Sequence, residues 1–139
     1  MSQPIVGASG PPPRPWHVVV AEDDDETRRL VAFVLESDGY RVTEVVDGRA
    51  LLELLFGPHD TIDLVISDVH MPLRSGLDVL DACRTQDRFV PTLLMTAYDD
   101  DYTRSAAYQF GALGVIDKPL DLDDLRLVVS LVTSGRRTG

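Results

Sequence analysis

Five side chains of this sequence stand where short apolar runs stop. Glu22 and Asp23 follow Val18-Val19-Val20-Ala21, Asp68 follows Leu64-Val65-Ile66-Ser67, Thr96 follows Leu93-Leu94-Met95, and Lys118 follows Val115-Ile116-Asp117. Three carboxylates, a hydroxyl and an ammonium in one place suit phosphoryl chemistry. Like charges raise one another's pKa values and resist burial, so the carboxylates call for a cation. An all-oxygen ligand set without cysteine points to Mg2+ rather than zinc. The hydroxyl and the ammonium then supply donors for a tetrahedral anion, with Asp68 as the nucleophile that attacks phosphorus.

These residues meet only if their runs are neighbouring strands. Leu64 to Ile66 suits a strand buried on both faces, and the Asp68-Val69-His70-Met71-Pro72 segment cannot continue it because proline donates no ladder bond. Five such strands are expected: 18–21, 40–46, 62–67, 92–95 and 114–117. Each is followed by a helical pattern: one with Leu30, Val31, Val34 and Leu35 closed by Gly39, then 50–56, 76–84, 101–110 and 122–132. Strand and helix alternating five times predict a single doubly wound α/β domain, with a parallel sheet covered on both faces. All strands then present their carboxyl ends at one edge, where such folds bind ligands.

The composition is consistent with this. The 139 residues fit one domain, and 44% hydrophobic with 26% charged content is ordinary for a globular chain. A net charge of −10 argues against a nucleic-acid partner and suits a cation site. One cysteine, Cys83, excludes an internal disulfide and a multi-cysteine zinc site. No apolar run approaches the ~18 residues of a membrane span, and the N-terminus lacks a signal-peptide layout, so a cytoplasmic location is expected. Residues 1–16, with Pro4, Pro11, Pro12, Pro13 and Pro15, read as a disordered leader, 17–133 as the folded domain, and 134–139 as a tail or the start of a linker.

The chain resembles the receiver domains of bacterial two-component response regulators over roughly residues 16–133. The resemblance is carried by VVVAEDD, by LVISDVHMPLRSG around Asp68, by Thr96-Ala97 and by Lys118-Pro119. It implies a flavodoxin-like (βα)5 domain of strand order 2-1-3-4-5 with a cis Lys118-Pro119 bond, an isomer confined to X-Pro bonds. It implies that Asp68 accepts a phosphoryl group from a histidine kinase or a histidine phosphotransfer protein. Asp23, Asp68 and the main-chain carbonyl of His70 would bind Mg2+, Glu22 would act through water, and Thr96 and Lys118 would hold phosphoryl oxygens. Such a domain catalyses only its own phosphorylation and dephosphorylation. It signals to a downstream protein or output domain, and a phosphorylation-dependent dimer is a further expectation. His70 and Tyr98 fall at positions that tune phosphoryl lifetime in this family, and Tyr98 is expected to shield the phosphoryl group from water.

Two departures stand out: Glu22 where the family usually has Asp, and Val115 where most receivers carry an aromatic that swings inward on phosphorylation. A haloacid-dehalogenase-type hydrolase would want a second Asp two residues after the nucleophile, where this chain has His70. A flavodoxin-like nucleotide or flavin binder would want a donor-rich first loop, and here that loop is acidic. A degenerate receiver that only docks partners is opposed by the intact Asp23, Asp68, Thr96 and Lys118. The remaining polar residues have simpler uses. Asp24 or Asp25 caps a helix, Asp99-Asp100-Asp101 opens another, Cys83 fills an apolar helix face, and His17 and His59 are expected at the surface.

Overall fold

A computed structural model describes residues 14–97 and 100–137, with side chains up to 134. Five strands and five helices alternate: β1 (His17–Ala21), α1 (Asp25–Ser37), β2 (Arg41–Val45), α2 (Gly48–Phe56), β3 (Leu64–Asp68), α3 (Gly76–Thr85), β4 (Thr92–Thr96), α4 (Asp101–Gln109), β5 (Gly114–Asp117) and α5 (Leu122–Arg137). The sheet is parallel throughout, in the order β2-β1-β3-β4-β5.

Helices cover both faces, and the strand sequences show why. Every residue of β1, β3 and β4 is buried, so these strands are apolar without alternation. Odd and even side chains feed separate cores. Val18, Val20, Leu64, Ile66, Leu93 and Met95 pack with Val31 and Leu35 of α1 and Leu125 and Val129 of α5. Val19, Ala21 and Val65 pack on the other face with Leu51 and Leu55 of α2 and Val79 and Cys83 of α3. Leu94 joins Leu80 of α3 and Ala107 of α4 in a smaller group. The edge strands β2 and β5 are only partly buried, and their sequences are correspondingly mixed.

Helix starts follow from short polar side chains that satisfy free amide groups. Asp24, Asp47, Ser75 and Asp100 cap α1, α2, α3 and α4. Asp24 thus takes the capping role and Asp25 does not. The last helix continues past Val132 to Arg137, into the stretch expected to be a tail. Residues 1–13 of the expected leader and Tyr98 lie outside the described residues.

His17 corrects the expectation of a surface histidine. It is only 4% exposed, because it is the first residue of β1, inside the sheet, rather than preceding it. Its Nδ1 donates to the Thr61 carbonyl at 2.9 Å, and its Nε2 lies 2.7 Å from Thr43 Oγ1. Its main-chain amide donates to Asp63, which also takes both Arg14 guanidinium nitrogens at 2.8 Å.

One glycine sets how closely α2 approaches the loop after β3. A Cβ on Gly48 would lie 1.9 Å from the Arg74 carbonyl oxygen, a backbone atom that cannot move aside cheaply. Gly48→Ala is expected to lower the unfolding free energy by about 1–3 kcal/mol through overpacking, read from urea denaturation. An unchanged midpoint would show that the loop yields freely.

Candidate functional site

The strand register alone brings the predicted residues to one edge. Ala21 pairs with Ser67, so Glu22 and Asp68 stand one step further along neighbouring strands. Asp68 pairs with Met95 and Thr96 with Asp117, which places Thr96 and Lys118 beside them. The strand order reverses between β1 and β3, the point where open α/β sheets leave a crevice at their carboxyl ends.

Within that crevice Lys118 is the hub. Its Nζ donates to Glu22 Oε1 at 2.6 Å and to Asp68 Oδ2 at 2.7 Å. Both carboxylates are buried, Glu22 at 1% exposure and Asp68 at 5%, and the lysine side chain is 20% exposed. The Lys118-Pro119 bond is cis, as the resemblance implied. The Lys118 amide donates to the Thr96 carbonyl at 2.8 Å, which ties the β4 and β5 ends together. Thr96 is itself fully buried.

Asp68 is held from its other side as well. Its Oδ1 accepts the His70 amide at 3.1 Å, so the backbone of residue 70 curls back over the carboxylate, while His70 itself is exposed. A Cβ on Gly76 would stand 2.4 Å from the Asp68 carbonyl oxygen. Only glycine lets α3 start this close beneath the end of β3.

Glu22, Asp23 and Asp68 each offer a carboxylate oxygen, and these oxygens lie within 4.8 Å of one another. Asp23 is exposed, whereas its two companions are buried. Three carboxylates against one ammonium leave the crevice with surplus negative charge. The donor set is all oxygen, hard and partly open to solvent, which fits Mg2+. Lys118 occupies the same ground, and its ammonium pairs with the Glu22 and Asp68 carboxylates.

The electrostatics follow from this crowding. Burial pushes the Glu22 carboxyl above its ordinary range; the hydrogen bonds from Lys118 and the Asp24 amide oppose the rise, and the Asp68 charge adds to it. Burial disfavours the Lys118 ammonium, but its bonds to Asp68 and Glu22 outweigh that and raise its pKa.

Sequence reasoning found the five strand-end residues and missed three that support them. Gly76 reads as an ordinary helix start and Gly48 as part of a turn, and Arg28 is passed over. Arg28 is buried and Arg29 exposed, a difference that helical spacing from Val31 and Leu35 foreshadows. Val115 lies in β5, half-buried against the group around Leu94 and Ala107. On α4, Tyr102 and Tyr108 are exposed, and Arg104 stands 3.7 Å from Asp117 across the β5 end.

The arrangement is that of a phosphoacceptor signalling domain, and comparison with known proteins agrees. Residues 18–130 match the family model described as the response regulator receiver domain. The response regulator protein PmrA of Pseudomonas aeruginosa is 38% identical over 121 residues, covering 87% of this chain and 53% of PmrA. The transcriptional regulatory protein FixJ of Bradyrhizobium diazoefficiens is 33% identical over 113 residues, covering 81% of this chain and 54% of FixJ. The solved structure of the Vibrio cholerae chemotaxis protein CheY4 superposes with a TM-score of 0.76 at 28% identity, covering 85% of this chain and 98% of CheY4. The chain therefore belongs to the response regulator receiver domain family of two-component systems. It spans about half the length of PmrA and FixJ and 24% of the regulatory protein AtoC of Escherichia coli, to which it is 32% identical.

The raised Glu22 pKa fixes the sign of one pH effect. The folded state binds that proton more tightly than the unfolded chain, so the ionised form costs stability. In metal-free buffer the Glu22 contribution is expected to improve as pH falls from neutral through its raised folded value toward the ordinary 4.5. Urea midpoints of wild type minus Glu22→Gln should therefore rise as pH is lowered over that window. A difference that stays flat from pH 8 to 4.5 would contradict the assignment.

Proposed function

We propose that this chain is the phosphoacceptor of a two-component phosphorelay, with Asp68 receiving the phosphoryl group of a phosphohistidine. The donor is a histidine kinase or a histidine phosphotransfer protein. The observation that carries the reading is the Lys118 ammonium within 2.7 Å of both Glu22 and Asp68, with Asp23 alongside, at the carboxyl edge of the sheet.

In the transfer, an Asp68 carboxylate oxygen forms a bond to phosphorus while the phosphorus–nitrogen bond of the donor breaks. The electron pair of that bond leaves on the imidazole. Asp23, Asp68 and the His70 carbonyl would hold Mg2+, with Glu22 acting through water. When bound there, the metal would supply positive charge that offsets the charge of the phosphoryl oxygens. Lys118 is already seated on Asp68 Oδ2, so a short shift takes its ammonium to a phosphoryl oxygen, and the Thr96 hydroxyl takes another. The acyl phosphate is lost by hydrolysis at the same site, and no other substrate is turned over. His70 two residues past Asp68 does not provide the general acid that a haloacid-dehalogenase-type hydrolase needs.

The output is a changed protein-binding surface read by a downstream protein or an output domain. Since Val115 cannot swing as an aromatic does, we assign the readout to α4, which the Arg104–Asp117 pair ties to the residue preceding Lys118. Among the described residues no helix is long and apolar enough to cross a membrane.

Acetyl phosphate with Mg2+ is expected to add one phosphoryl mass to the wild type and none to Asp68→Asn, and none to either without the metal. Retained modification in Asp68→Asn would sink the assignment. Binding also stabilises by linkage: Mg2+ at ten times its dissociation constant is expected to raise the unfolding free energy by about 1.4 kcal/mol. Asp23→Asn is expected to abolish that gain while unfolding at higher urea than wild type in EDTA, because it removes one of three mutually repelling carboxylates.

A further inference from the structure

The acidic turn after β1 is held from behind by a buried cation. Of its four acidic residues, Glu22 accepts from Lys118 and from the Asp24 amide at 3.0 Å. Asp24 caps α1 through the Thr27 amide at 2.9 Å. Asp25 pairs with Arg28 at 2.7 Å. Asp23 alone makes no side-chain hydrogen bond or ion pair among the described residues, which leaves its carboxylate available.

Arg28 is 5% exposed, an expensive place for a guanidinium unless its donors are matched. They are. Nη1 donates to the Glu22 carbonyl at 3.0 Å, Nη2 to Asp25 Oδ1 at 2.7 Å, and Nε to Glu44 Oε1 on β2 at 3.2 Å. The Glu22 carbonyl belongs to the peptide unit that joins Glu22 to Asp23, so the bond from Nη1 fixes the plane from which both carboxylates are aimed. An apolar side chain at this point of α1 would fill space as well, but it would leave that carbonyl without its donor.

Resting on the cation reading above, we propose that Arg28 is a positioning residue for the divalent-ion site. Its fork locks the Glu22–Asp23 peptide so that the Asp23 carboxylate converges on Glu22 and Asp68. Geometry and charge act in opposite directions here. A positive charge beside a cation site weakens binding, whereas a fixed ligand strengthens it. Arg28→Lys keeps the charge and loses the fork. Arg28→Met loses both.

The test is a Mg2+ titration of the 15N-labelled full chain, read from the amide shifts of residues 22–25 and 70, with thermal midpoints recorded in parallel. An osmolyte such as trimethylamine oxide keeps both variants folded. Both variants are expected to bind Mg2+ about tenfold more weakly, as when a group supporting a metal ligand is lost. A wild-type affinity for Arg28→Lys, or an affinity for Arg28→Met equal to or tighter than wild type, overturns the inference and leaves Arg28 a purely structural ion pair. If the wild-type chain itself shows no saturable shifts at these amides, the cation reading fails instead, which separates the two outcomes.

Discussion

One ammonium between two buried carboxylates is the interaction on which this molecule turns. Lys118 neutralises Glu22 and Asp68 where water cannot. Without it, two charges nearly closed off from solvent would repel each other across a gap between strands. A third carboxylate, Asp23, leaves the crevice still short of positive charge. An all-oxygen set of this kind fits a hard divalent ion.

That balance depends on a fold that brings the ends of four strands to one edge. Each functional group sits at, or one or two steps beyond, the last residue of β1, β3, β4 or β5, and parallel pairing aligns those ends. The sheet is covered on both faces, so its strands cannot slip in register without exposing an entire apolar row. Small residues then allow close approach around the site. Gly76 lets α3 begin against the Asp68 carbonyl, and Gly48 lets α2 touch the loop between them. Rigidity of the scaffold becomes precision of the site.

The signalling half of the molecule is less conventional than its chemical half. Val115 is packed against the α3–α4 side of the sheet, and no aromatic stands at its position to move. What remains near the site on that side is α4, with exposed Tyr102 and Tyr108 and an ion pair from Arg104 to Asp117. Asp117 immediately precedes Lys118, so this ion pair lies next to the lysine of the crevice.

The sequence by itself determined the alternation of strand and helix, the buried character of β1, β3 and β4, and the five strand-end residues. These are properties of local pattern: unbroken apolar runs, helical spacing, and polar residues where the runs stop. Strand order came from resemblance, since nothing local says which strand neighbours which. The tertiary structure decided what depends on distant partners. His17 is buried because Thr43 and Thr61 reach it, though it looks like any polar residue beside a leader. Arg28 is buried and Arg29 is not, because only one of them points at the Glu22 carbonyl and Glu44. Gly48 and Gly76 matter because backbone from another segment passes within the reach of a Cβ. Lys118 is shared by two carboxylates because the sheet brings residues 22, 68 and 118 together. A sequence records which groups are present; only packing decides which of them meet.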